Sequence, residues 1–378
     1  MKKINKFLEF DFDKNTGIEC RFDSTTVNLD EIEYKLAIMQ TPAKHSAAKL
    51  HFSYLSGLTS DIKNDTDIVS QLLSIYTLKS TDEDAYNRAL VSFFSKYGFL
   101  TQLGDQFLQS FDRATIDEFL KLIFLINEIN VLVHQPFAST KEKCDKLLEL
   151  NINLIFTDLR GNTLPLRSYP LLQYIIVPDM DYDPDEDMYY CMKSITPAYH
   201  HQINEFSEIE KYNPQDVIIN AYDVLKGRFS DDAQFILNFL YNHLCMNHFA
   251  LTTSPLTGEV RLKTNDYTPS DMEDDLIEFS DKVCNYFLSQ ASRNIPLIVE
   301  STSNKGIYTH TLKYDVKCLA DAVIFALLLF DPVDQEFRKC HLPSCNNYFL
   351  TKRSNMKKLY CCRSHTRTAA THRFRESK

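Results

Sequence analysis

The chain has 378 residues, of which 44% are apolar, 24% charged and 12% aromatic, with ten cysteines, eight glycines and no tryptophan. This composition excludes a disordered or fibrous chain, and it supplies enough apolar material for packed domains without help from a metal or a disulfide framework. The net charge of -10 is unevenly spread: residues 336–378 hold eleven Lys and Arg against two acidic residues, a charge of +9, leaving thirty basic against forty-nine acidic residues, -19, in the rest.

The first residues, MKKINKFLEFDFDKN, turn acidic before any apolar run of signal-peptide length. The longest apolar run, from Leu319 to Phe330, is broken by Asp321 and falls short of the about 20 residues a membrane span needs. Both features imply a cytoplasmic protein with no membrane partner. Cys20, Cys144, Cys191, Cys245, Cys284 and Cys318 lie singly in apolar stretches, as reduced core thiols do.

In chain order, FLEFDF (7–12) and IECRF (18–22) predict a hairpin across Asn15-Thr16-Gly17. Ile68, Leu72, Leu73 and Tyr76 then fall on one helical face, and Ala85, Ala89, Phe93 and Phe94 on another, the second opening with Ser80-Thr81-Asp82-Glu83 as cap and acidic first turn. Residues 115–133 form a third helix, apolar on most sides. A break around 162–170, punctuated by Pro165 and Pro170, precedes strand-like LLQYIIV and the acidic DMDYDPDED. Helices follow at 214–225, 231–248 and 270–291, then a hairpin from 298–301 and 308–312, and a last long helix at 315–329 that ends at Asp331-Pro332. The predicted fold is α+β, a predominantly helical body with small β-hairpins carrying a C-terminal zinc-ribbon or treble-clef-like finger as an appendage. Its expected segments are 1–163, 164–335 and 336–378.

The tail reads CHLPSCNNYFLTKRSNMKKLYCCRSHTRTAATHRFRESK. Cys340-x4-Cys345 and Cys361-x3-His365 are two close pairs separated by fifteen residues, a layout in which two tight turns deliver four tetrahedral ligands to one zinc ion. Cys362, His341 and His372 are alternative ligands in the same stretch. Tyr360 and Phe349 would supply a small apolar core beneath the metal.

These features resemble the C-terminal module of the CGNR zinc finger family of bacterial transcription regulators, over about residues 338–376. The family's Cys pair, following Phe, basic stretch, aromatic-Cys dipeptide and basic helix look like Cys340, Cys345, Phe349, residues 352–358, Tyr360-Cys361, and Ala369 with Arg373-Phe374-Arg375. Where the family carries Cys-Gly-Asn-Arg, this chain has His365-Thr366-Arg367-Thr368. The resemblance implies zinc as cofactor and nucleic acid as partner.

Between Arg363 and Arg375 no Gly or Pro interrupts a helix. Arg363, Arg367, Arg373 and Arg375, with Lys352, Arg353, Lys357 and Lys358 before them, form a cationic set suited to phosphates and guanine edges. The expected partner is nucleic acid, DNA more than RNA, and a homodimer would present two such tails. The alternative is a non-catalytic interaction protein whose zinc tail packs on its own acidic body. No glycine-rich phosphate loop, G-x-S-x-G elbow or H-E-x-x-H pair is present. Asp179, Asp181 and Asp183 have calcium-loop spacing, but Pro184 and Tyr190 stand where such a loop needs Gly and Glu, so this run reads as a solvated loop. His200-His201 with Glu205, and His243 with His248, read as a surface position and a core edge. The sequence predicts no enzyme.

Overall fold

The structure, a computed structural model, describes residues 8–15, 18–28, 31–40, 45–53, 56–60, 66–100, 108–134, 141–155, 174–183, 188–197, 215, 218, 219, 222, 231–253, 260–269, 272–292, 295, 297–304, 307–314 and 316–376. Its elements in chain order are β1 (Leu8–Asn15), β2 (Ile18–Asn28), β3 (Glu31–Gln40), β4 (His45–Ser53), β5 (Gly57–Thr59), α1 (Ile68–Leu78), α2 (Glu83–Tyr97), β6 (Leu108–Asp112), α3 (Arg113–His134), α4 (Lys141–Ile155), β7 (Tyr174–Asp183) and β8 (Met188–Pro197). There follow α5 (Asp231–Cys245), β9 (Phe249–Thr253), β10 (Val260–Thr264), α6 (Glu273–Ser292), β11 (Leu297–Asn304), β12 (Ile307–Tyr314), α7 (Leu319–Leu329), β13 (Gln335–Lys339), β14 (Tyr348–Lys352) and α8 (Arg363–Glu376). The class is α+β, with antiparallel sheets of two or three strands. No helix among the described residues is long and apolar enough to cross a membrane.

The chain divides into two interleaved units, 1–127 with 161–164 and 291–378, and 128–160 with 165–290. Residues 336–378 therefore belong with the N-terminal part of the chain rather than standing as an appendage.

In the first unit the expected N-terminal hairpin is replaced by a longer-range pairing. β1 pairs with β4, not with β2, and β2 pairs with β3, which continues to β6. β1 and β2 thus lie in different sheets, and Thr16 and Gly17 of the expected turn lie outside the described residues. β5 adds to β4 and leads into α1 through Asp67. This buried carboxylate caps α1 by accepting the N–H of Ser70 at 2.6 Å, and it also accepts the N–H of Leu58 at 2.8 Å. Burial pushes its pKa up to about 6 against the pull of those N–H groups.

α2 starts as its sequence predicts: Asp82 accepts from the N–H of Ala85 at 2.9 Å, followed by Glu83 and Asp84. It ends at Gly98, whose φ of 91° suits a residue without a Cβ. Leu72, Tyr86, Leu90, Phe94, Phe119 and Val323 lie in the buried interior. α7 starts four residues later than predicted, and Cys318 caps it without a side-chain bond. Its first N–H groups instead donate to the chain beyond α2, Leu319 to the carbonyl of Phe99 at 3.3 Å and Ala320 to that of Leu100 at 3.2 Å. The hairpin predicted near residue 304 is present as β11–β12.

The second unit packs α4, for which no element is predicted from the sequence, with α5, α6 and the β9–β10 pair. Asn151 on α4 donates to the hydroxyl of Ser280 on α6 at 2.8 Å, and Phe239 on α5 stacks on Phe279 at 4.0 Å. α5 ends earlier than predicted because Asn247 adopts a left-handed φ of 59°. The N–H of Asn247 donates to Leu244 and that of His248 to His243, both at 3.0 Å, a closure that satisfies the helix's last carbonyls. His243 is buried there, and its Nδ1 lies 2.8 Å from Nδ1 of His248. Asp179, Asp181 and Asp183 sit in β7 paired with β8, a strand and not the loop expected. Residues 156–173, 200, 201 and 205, and most of the helix expected at 214–225, lie outside the described residues.

Candidate metal centre

The tail begins on an antiparallel hairpin. β13 and β14 pair from Gln335↔Lys352 to Lys339↔Tyr348, and the N–H of Cys340 closes the loop by donating to the carbonyl of Asn347 at 2.9 Å. Cys340 leaves the end of β13. Within the loop, Cys345 donates its N–H to Leu342 at 2.8 Å, and Asn347 directs its N–H at Cys345 Sγ at 3.5 Å. A tight turn of this kind presents two sulfurs to one point and steadies one with a backbone donor.

The second pair stands at the start of α8. The first helical bond runs from the N–H of Thr366 to the carbonyl of Cys362 at 3.2 Å. Cys361 therefore precedes the helix, and His365 lies in its first turn. The turn into α8 sets the step between them.

The ligand atoms of Cys340, Cys345, Cys361 and His365 all lie within 4.8 Å of one another. Cys345 Sγ is 3.9 Å from Cys361 Sγ, and His365 Nδ1 is 3.7 Å from Cys340 Sγ and 3.2 Å from Cys361 Sγ. Tetrahedral zinc with ordinary bond lengths would place sulfurs about 3.8 Å apart and sulfur about 3.5 Å from nitrogen. The donor set fits one such ion. Cys340, Cys345 and Cys361 would be thiolate ligands and His365 would bind through Nδ1.

Beneath them, Leu342, Phe349 and Ala369 are buried, and Tyr360 packs against the same cluster. Phe349 and Tyr360 thus take the places the sequence predicts for them. Of the alternative ligands, His341, Cys362 and His372 are all exposed and none belongs to the group. Cys362 turns to the hydroxyl of Ser364 at 2.9 Å.

Three sulfurs this close disfavour one another as anions. Burial pushes the Cys361 thiol up, reinforced by Cys340 and Cys345. Burial also raises Cys345. For Cys340, burial opposes ionisation, but the backbone N–H groups of Cys361 and Leu342 and the His365 ring bring it down to about 7. A divalent cation in the middle would let all three ionise together.

The cations divide into two groups. Lys352, Lys357, Lys358, Arg363, Arg367 and Arg375 are exposed, while Arg373 lies on α8 with its side chain outside the described residues. Arg353 is turned inward: its Nε donates to the carbonyl of Pro332 at 2.6 Å and its Nη1 to Glu336 at 3.2 Å. This correction to the expected phosphate-contact set follows from Glu336, a buried carboxylate whose partner the sequence spacing did not reveal. At about 100° per residue, Arg363 and Arg367 fall on the side of α8 opposite His365 and Ala369. The hydroxyls of Thr366, Thr368 and Thr371 donate back to carbonyls of their own helix, so the guanidinium groups are what that side offers.

The hairpin rests on α1. The N–H of Tyr348 donates to the hydroxyl of Ser74 at 2.8 Å, and Thr77 lies 3.5 Å from the carbonyl of Asn346. Nothing in the sequence marks Ser74, since a helical serine with no motif around it carries no signal for a partner 274 residues away. The chain matches no protein-family model, no curated protein and no solved structure.

Proposed function

We propose that residues 336–378 form a treble-clef-like zinc finger and that the protein is a non-catalytic regulator that binds nucleic acid, DNA in preference to RNA, through the basic side of α8. The Cys3His donor set and its tetrahedral spacing favour zinc, since thiolate-rich four-coordinate sites select it over harder cations. The free thiols among the described residues suit a reducing compartment, the cytoplasm.

The observation that carries the nucleic-acid reading is the exposed row on α8. Arg363 and Arg367 stand away from the metal side, no acidic residue lies between Arg363 and Arg375, and exposed Lys352, Lys357 and Lys358 precede the helix in the chain. A helix of this width fits a major groove, where guanidinium groups meet phosphates and guanine edges. The resemblance to the CGNR finger points the same way.

The test is binding of the full chain to a labelled DNA duplex and an RNA hairpin across a salt series. If about six phosphates are neutralised, affinity falls about a thousandfold between 50 and 200 mM salt. Replacing Arg363 and Arg367 together by Gln should lower the slope by about two. A second reading, an interaction protein in which the finger is structural, is favoured by the packing of β13–β14 on α1. A zinc-loaded chain with no salt-dependent binding to either probe would select it.

A further inference from the structure

The two ligand pairs belong to different elements, and fifteen residues separate Cys345 from Cys361. Something must set the span between them. The metal itself is one agent, but a second is built into the chain.

Glu336 on β13 is only 5% exposed. Its Oε1 accepts from Arg338, through Nε at 2.7 Å and through Nη2, while its Oε2 accepts from Arg353 Nη1 at 3.2 Å. Both arginines then reach further. Arg353 Nε donates to the carbonyl of Pro332 at 2.6 Å, which fixes the start of the basic loop after β14. Arg338 Nη1 donates to the carbonyl of Lys358 at 2.9 Å and lies 3.3 Å from that of Asn355, which fixes the loop's end. Next to this, the N–H of His341 donates to the carbonyl of Leu359 at 3.0 Å, between Cys340 and the approach to Cys361. One carboxylate thus draws together two guanidinium groups that would otherwise repel, and through them both ends of the segment that leads to the second ligand pair.

We propose that Glu336 is a positioning residue of the metal centre: through Arg338 and Arg353 it sets the distance from Cys340 and Cys345 to Cys361 and His365. It touches no ligand atom. The inference rests on the reading of the four residues as a metal site, and it deepens that reading by assigning the arginines a bracing role that a charge count would give to phosphate contact. The same brace holds Lys357 and Lys358 in a loop with both ends tied.

Zinc affinity measured by competition with a chromophoric chelator, on the full chain, tests this. Glu336→Gln removes the shared anion, and Arg338→Lys keeps a cation beside Glu336 while losing the fork to the Lys358 and Asn355 carbonyls. Each should bind zinc about 10- to 100-fold more weakly than the wild type, as loss of groups that orient ligands does. Amide exchange at 353–361 should quicken in both, with the far-ultraviolet spectrum of the chain unchanged. If both variants bind within about threefold of wild type, the brace is wrong while the metal site stands. Should Glu336→Gln fail to fold, Arg338→Lys decides by the same criterion. A wild-type chain that takes up no zinc overturns the metal reading and this inference with it.

Discussion

The backbone N–H of Tyr348 donates to the hydroxyl of Ser74 at 2.8 Å, and that hydroxyl in turn donates to the carbonyl of Ser70 at 2.6 Å. One side chain on α1 thereby joins β14, and with it the candidate metal centre, to the helix that Asp67 caps. Cutting the chain at Pro332 to remove residues 333–378 would strip a covering from α1, so point substitutions are the cleaner probes of function.

Ser74→Ala should destabilise the protein by about 1–3 kcal/mol, because the N–H of Tyr348 loses its partner in a half-buried place. Chemical denaturation monitors the loss. A variant within about 0.3 kcal/mol of wild type would mean that the hairpin does not depend on this contact.

Gly57 has a φ of 71°, and a Cβ there would overlap the carboxylate of Asp67 and press on Leu350. Gly57→Ala therefore combines backbone strain with displacement of the α1 cap. We expect a loss of more than about 2 kcal/mol in stability, read as a fall in denaturation midpoint.

Asp67 links the fold to pH. Its pKa is 3.8 unperturbed and about 6 in the fold, raised by burial. The folded chain therefore holds this proton over a range where the unfolded chain has lost it. The stabilisation is present at low pH and is lost as pH rises from about 4 to about 6, by about 3 kcal/mol in all. Asp67→Asn should remove that slope, measured as the difference between variant and wild type at each pH.

His243 acts in the opposite sense. Burial, then the neighbouring His248 ring, push its pKa from 6.5 down to about 4, so the fold prefers the neutral ring. Stability from this group is lost as pH falls below about 6.5. His243→Phe, which keeps a ring against Phe239, should flatten the acid limb of the curve. An unchanged limb would show that His243 does not titrate with folding.

The sequence made the cluster of Cys340, Cys345, Cys361 and His365 legible because each pair is local: x4 within a hairpin loop and x3 across a helix start leave little for tertiary structure to decide. Asp82 as the cap of α2 and the β11–β12 hairpin were legible for the same reason. The N-terminal sheets were not, because β1 finds its partner across two intervening strands, a pairing that no local pattern announces. Charge pattern also misled at Arg353. A basic residue in a basic run looks solvated until a buried carboxylate such as Glu336 is placed beside it.

The most direct measurement is the metal content of the full chain purified under reducing conditions, beside Cys361→Ser and His365→Ala. One zinc per wild-type chain is predicted, lost or greatly weakened in both variants and accompanied by a fall in unfolding temperature on chelation. A folded wild-type chain that holds no zinc and gains no stability from it would contradict the metal centre and everything built on it.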